Sequence, residues 1–430
     1  MPLLKELKPK NNSAASYFPA STNNSTNHYN WNTVVGFFIK NLHNIKLTQK
    51  VRTLDDFKQL CKTHFVEKLD GEPFWHVIEK MYFDNLQTFN IAPEMQTLKV
   101  LNPEESNSGD ERLSLLFNRL MGDVVIINAP ESRLNFLEQE IKKVFDSETE
   151  QVRKSHIPHT SYLPFLSEQF QQDLKFLVSY PEHFLQNIKA FLKLYGFLYT
   201  AQLSLNIKGW AQKPEVKPCY FILDSEKASK ERTKLQLHGH KQVVESSYAL
   251  FPYLALNESL QDTKKQISPL WQLVNELTDT DIETLNNYAV VFHDDRNLTS
   301  QQYFASTTSE AISNLIKLFT EQFKKGTGRE GAFQKFNSAT RETLIRPFEQ
   351  NRRRAGSFLI LNQDYLLLLT NLCIGQHEKL RLHELLIEFQ KRGIFFDKSS
   401  EECLIELFER MGNVERMSDS GDAVYVKKTI

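Results

Sequence analysis

With 430 residues, 40% hydrophobic and 24% charged, the chain has an ordinary globular composition and is long enough for roughly two to three cores, which excludes a disordered chain, a fibre or a single small module. Its 52 basic and 53 acidic residues leave a net charge of −1, so attraction to nucleic acid has to come from local patches. Four scattered cysteines without a C-x-x-C indicate neither a disulfide framework nor a thiolate zinc site, and the natural setting is a reducing cytoplasm.

The opening "MPLLKELKPKNN" is too polar for a secretory signal, and no window is apolar enough to cross a membrane. Residues 1–30, rich in Asn and Ser, read as a flexible arm. From 31 to 355 a mostly helical body is expected, with a possible subdivision near 150–215. "NTVVGFFIKNLHNI" and "TLDDFKQLCKTHFVEKL" are its first clear helices. "GDVVIIN" (122–128) reads as a short buried strand before a helical "ESRLNFLEQEIKKVF". In "EHFLQNIKAFLKLYGFLYTAQLSL", Phe184, Ile188, Phe191, Leu192, Tyr195, Leu198 and Tyr199 recur at helical spacing. "PCYFIL" is a second strand candidate, and "SEAISNLIKLFTEQFKK" a helix with Ile312, Leu315, Ile316, Phe319 and Phe323 on one face.

Residues 356–430 form a winged-helix-like pattern. "QDYLLLLTNLCIG" is a buried helix, "KLRL" a strand and "HELLIEFQKRG" a second helix. "DKSSEECLIELFERMGN" is a third, with Ser399 and Glu402 at capping-box spacing and Gly412 at C′; "VERMSDSGDAVYVKK" is a closing hairpin. The expected fold is therefore mainly α, an α+β chain with few short strands, ending in a winged helix-turn-helix.

In "KKGTGREGAF" the residues Gly326, Gly328 and Gly331 spell G-x-G-x-x-G. A dinucleotide site needs a strand before that motif, and here a helix precedes it; Ala332 and Phe333 stand where a Walker loop needs Lys-Ser or Lys-Thr. No cofactor is expected. The surrounding charge is more informative. Lys324, Lys325, Arg329, Lys335, Arg341, Arg346, Arg352, Arg353 and Arg354 face only Glu330, Glu342 and Glu349, a local charge of +6 suited to DNA phosphates without sequence preference or to an acidic partner. The third C-terminal helix, with Glu402, Glu406 and Glu409, would repel phosphate and suits protein docking. His156, His159, His238 and His240 form no metal-ligand spacing, so no metal is expected and loop histidines are the reading. Asp294 and Asp295, read at a strand end or turn, are the weak basis for a metal-dependent nuclease.

The runs "YLLLLTNLCIG", "KLRLHELLIEFQKRGIFFDKSS" and "SDSGDAVYVKK", with the opening "PLLKELKPKNN", resemble the DptG (DndG) family, the middle component of bacterial phosphorothioation-dependent DNA restriction systems. The resemblance is clearest over residues 351–430 and 1–45. It implies an adaptor without its own catalytic site, working with DptF- and DptH-like subunits that carry the ATPase and helicase-like functions. Such complexes attack DNA lacking backbone sulfur, as a defence against phage and plasmids. A stand-alone winged-helix DNA-binding regulator is the alternative expectation.

Overall fold

The computed structural model describes residues 3–4, 6–69, 72–101, 107–124, 133–152, 160–227, 231–302, 304–417 and 423–430. The chain is mainly helical with a few short strands, and it divides into two compact units. The smaller comprises Tyr29–His156 and Gln171–Leu192; the larger comprises Met1–His28, Ile157–Phe170 and Lys193–Ile430.

In the smaller unit the helix Trp31–Leu42 starts on Asn30, whose side chain accepts from the Asn32 amide. Gly36 lets it lie close to the 3-10 run Pro93–Leu101, because a Cβ at 36 would stand 2.8 Å from Val100 Cγ1. Capping boxes start the helices Leu54–Lys68 (Thr53 with Asp56), Ser108–Met121 (Asn107 with Asp110) and Phe136–Ser147 (Asn135 with Glu138). Each box occupies amides that the first helical turn leaves without carbonyl partners. Phe57, Phe65, Trp75, Phe83 and Phe145 share an apolar core to which the helices Leu54–Lys68 and Phe136–Ser147 both contribute. Strand β1 (Ile45–Leu47) pairs antiparallel with β2 (Thr149–Gln151). The strand expected at 122–128 lies largely outside the described residues.

The larger unit holds a mixed sheet. Strand β3 (Cys219–Leu223) sits between parallel neighbours β5 (Ser357–Leu361) and β7 (Ile394–Phe395), and β4 (Glu349–Asn351) runs antiparallel to β5. Phe221, Ile222 and Leu223 are buried, as parallel strands covered on both faces require. The helices Leu250–Leu260, Ile282–Asp295 and Thr308–Glu321 share an apolar core in which Phe292 and Phe319 stack with centroids 4.2 Å apart. All five expected core residues of the 308–323 stretch are buried.

In place of a flexible arm, the N-terminal segment is pinned within this unit. Tyr17 Oη donates to the Ile267 carbonyl at 3.0 Å, Tyr199 Oη donates to the Tyr17 carbonyl at 2.8 Å, and Leu3 and Leu7 join the helical core. The polar Asn and Ser residues around them hid two aromatic anchors, Tyr17 and Phe18, each only 1% exposed.

The C-terminal elements follow the expected order. Helix Gln363–Ile374 ends at Gly375 (φ +58°), and β6 (Lys379–Arg381), helix Leu382–Lys391, β7 and helix Lys398–Arg410 follow. Then come β8 (Val414–Met417) and β9 (Ala423–Lys427), in a sheet of order β6-β9-β8. The expected cap moves by two residues: Asp397, not Ser399, caps the third helix by accepting from the Ser400 amide at 3.0 Å. A buried cluster fixes that end to the mixed sheet. Arg232 reaches Asp397 Oδ2 (2.7 Å), Ser400 Oγ (2.7 Å) and Glu226, and the Ser400 hydroxyl donates to Glu226 Oε2 at 2.9 Å.

Candidate nucleic-acid interface

The glycine motif joins two helices, Thr308–Glu321 and Glu330–Thr340. Its turn is held by Thr327 Oγ1, which donates to the Gln322 and Lys324 carbonyls at 2.7 and 2.8 Å. Gly326 has φ +87°, which glycine adopts without steric cost. Its amide donates to Glu330 Oε2 at 2.7 Å. A carboxylate of the same loop thus takes the amide that a pyrophosphate would use. A Cβ at Gly326, Gly328 or Gly331 meets nothing within 4 Å, so no close backbone approach explains these glycines.

The nine cations of 324–354 separate into two classes. Arg341 lies 3.7 Å from Glu349, Arg346 pairs with Glu342 one helical turn away, and Arg352 donates to the Asp224 carbonyl with its carboxylate 3.8 Å away. Lys324, Lys325, Arg329, Lys335, Arg353 and Arg354 have no carboxylate within 4.0 Å among the described residues. The first four of these cluster at the glycine turn and on the next helix. The other two stand exposed at the tip of the β4–β5 hairpin, where Arg353 takes φ +54°. The first four thus precede or lie within the helix Glu330–Thr340, and the other two follow it in the chain.

Near the hairpin, Glu349 also faces His240 Nε2 at 3.1 Å. Burial pushes the His240 imidazole below the ordinary histidine value, against the opposing pull of Glu349. Burial tends to raise the Glu349 carboxyl, but Ser357, His240 and Arg341 outweigh it and hold it low. His238 caps the short helix Thr233–Leu237, and His240 begins the helix His240–Ser247. Helix ends, not open loops, therefore place both; His156 and His159 lie outside the described residues.

Asp294 and Asp295 end the helix Ile282–Asp295, correcting the strand-end reading. The apolar stripe Leu285, Tyr288 and Phe292 decides that outcome. Asp295 pairs with Arg296, whereas Asp294 lies 3.3 Å from both His293 Nδ1 and Gln302 Nε2. Adjacent helical residues diverge by about 100°, so the two carboxylates do not converge. Among the described residues no group of three or more His, Cys, Asp or Glu side chains has metal-binding geometry.

On the helix Lys398–Arg410, Glu402, Glu406 and Glu409 are exposed on one side at i, i+4 and i+7. Arg416 of β8 pairs with Glu409, leaving Glu402 and Glu406 as the acidic surface of that helix.

One concave feature had no sequence signal. In the smaller unit a cavity of about 810 Å³ is lined by His43, Glu94, Lys142, Asp146, Phe145 and Phe184, among others. Lys142 binds Glu94 and Asp146, each at 2.8 Å, and His43 Nε2 is buried without a hydrogen-bond partner. Burial lowers the His43 pKa, which keeps the ring neutral beside that ion pair. These residues come from segments up to 141 positions apart, His43 to Phe184, so no local spacing announces them.

No helix among the described residues is long and apolar enough to cross a membrane. No protein-family profile and no curated protein matches the chain.

Proposed function

We propose that this chain is a non-catalytic adaptor subunit of a bacterial phosphorothioation-dependent DNA restriction complex. It links DptF- and DptH-like partners and contacts the DNA backbone without reading sequence. The observation that carries the proposal is the set of six cations, Lys324, Lys325, Arg329, Lys335, Arg353 and Arg354, that the fold leaves without acidic partners. Unpaired Lys and Arg side chains neutralise phosphates and release counterions, which gives affinity without base contacts. The resemblance of the two chain ends to the DptG family supplies the biological setting.

Within this reading residues 356–430 form a winged helix used for protein docking. The succession of helix, strand, two helices and hairpin supports it, as does the pairing of β6 with β9. An exposed Glu402 and Glu406 on its third helix disfavour insertion into a phosphate-lined groove. The rival, a stand-alone regulator, requires a dimer and a discrete operator.

Co-purification from the host is the test. A DptF- or DptH-like subunit recovered with the tagged chain, together with salt-sensitive DNA binding by the assembly, is the expected result. A free homodimer that selects one duplex sequence would overturn the adaptor reading.

A further inference from the structure

The larger unit carries a groove of about 360 Å³ between the helices Ile282–Asp295 and Thr308–Glu321. Its apolar lining comes from Ala289, Val290 and Leu318, and Phe304, 73% exposed, stands at its edge. An aromatic side chain this open beside an apolar recess is the arrangement found where a partner's side chain is anchored.

The groove also has a sign. Lys317 and Lys324 line it, both exposed and without a carboxylate within 4.0 Å among the described residues. The carboxylate in its lining, Glu321, is 8% exposed and already accepts from the Thr299 amide (3.2 Å) and the Ser300 amide (3.1 Å). Burial alone would raise the Glu321 pKa; the donors from Ser300 and Thr299, with the Lys324 charge, hold it low. An incoming carboxylate therefore meets two available ammonium groups.

We propose that this groove docks an acidic amphipathic segment of a partner protein, with an apolar side chain against Ala289, Val290 and Leu318 and flanking carboxylates on Lys317 and Lys324. The partner's existence rests on the adaptor reading above; the groove's preference rests on its own lining. Duplex DNA satisfies the lysines but leaves the apolar recess and Phe304 open to water, so it fits less of the surface.

The test places the photo-crosslinker p-benzoylphenylalanine at position 304 of the full chain in the host. After irradiation the adduct is digested and the attached peptide sequenced; Glu283 of the helix Ile282–Asp295, replaced likewise, is the control site. The proposal expects a partner-protein peptide with carboxylates on both sides of an apolar residue, from position 304 and not from 283. It also expects the adduct yield to fall about tenfold, the equivalent of roughly 1.4 kcal/mol, in a Lys317→Glu/Lys324→Glu background. Both lysines are exposed, so that variant keeps its core. Adducts to DNA, to a peptide without carboxylates, or no adduct while the partners still co-purify would overturn the groove's assignment and leave the adaptor reading standing. Loss of all co-purifying partners would overturn both.

Discussion

The glycine turn at 322–335 and the β4–β5 hairpin at 349–361 both present clustered cations, yet the fold treats them differently. At the turn, Lys324, Lys325, Arg329 and Lys335 are all unpaired, and the carboxylate nearest to hand, Glu330, is engaged by the Gly326 amide. At the hairpin, Arg352 is committed to Asp224 whereas its neighbours Arg353 and Arg354 are free. A basic run read as one feature therefore holds two kinds of residue: some secure the sheet, others are left for an external anion. Charge counting cannot separate them, because the separation depends on which carboxylate the fold brings near.

That comparison can be broken from its structural side first. Arg232 is the extreme paired cation, with a side chain 12% exposed beside two acids that are at most 14% exposed. Arg232→Ala strands Glu226 and Asp397 and is expected to cost about 3–5 kcal/mol in denaturant unfolding. An Arg232→Ala protein as stable as the parent would show that the cluster does not hold the 398–410 helix to the sheet. Arg352→Ala removes a half-exposed contact and is expected to cost only about 1 kcal/mol in the same assay.

Arg353 sharpens the other side. A non-glycine residue at φ +54° is sterically costly, so Arg353→Gly is expected to stabilise the chain by about 1 kcal/mol while weakening binding of DNA. Stabilisation with unchanged binding would mean that the side chain at the hairpin tip has no anion to meet.

The pH dependence is expected to be modest and to have a definite sign. Burial depresses the pKa values of His43, His183 and His240 in the folded chain. The unfolded chain then binds protons more readily, so stability is fully present above about pH 6.5 and declines as pH falls through the window below it. Thermal unfolding between pH 8 and pH 5 checks this. Replacing His240 with Gln, which keeps a polar group near Glu349, should flatten part of the decline.

Much of the helical scaffold was legible because its apolar residues recur at one spacing over long stretches. Ile312 to Phe323 and Phe184 to Tyr199 were assigned to core faces from periodicity, and all the named residues are buried. Turn chemistry was legible at Gly412, expected at C′ and found with φ +73°. Long-range pairing was not legible. Strand β5 lay hidden at the front of the apolar run "FLILNQDYLLLL", where Asn362 ends the strand and caps the following helix. The contact between Asp224 and Arg352 spans 128 positions, so the neutralised cations looked the same as the free ones. Tyr17 and Phe18 were obscured by their polar surroundings, because their burial depends on partners at Ile267 and Phe336 far along the chain.

The most direct measurement is the salt dependence of DNA binding by the co-purified assembly. The parent is compared with the variant Lys325→Gln/Arg329→Gln/Arg353→Gln/Arg354→Gln. Each lost phosphate contact lowers the slope of log K against log salt by about 0.9, so the account predicts a slope smaller by about 3 to 4, with thermal stability little changed. An unchanged slope in a folded, fully assembled variant would contradict it.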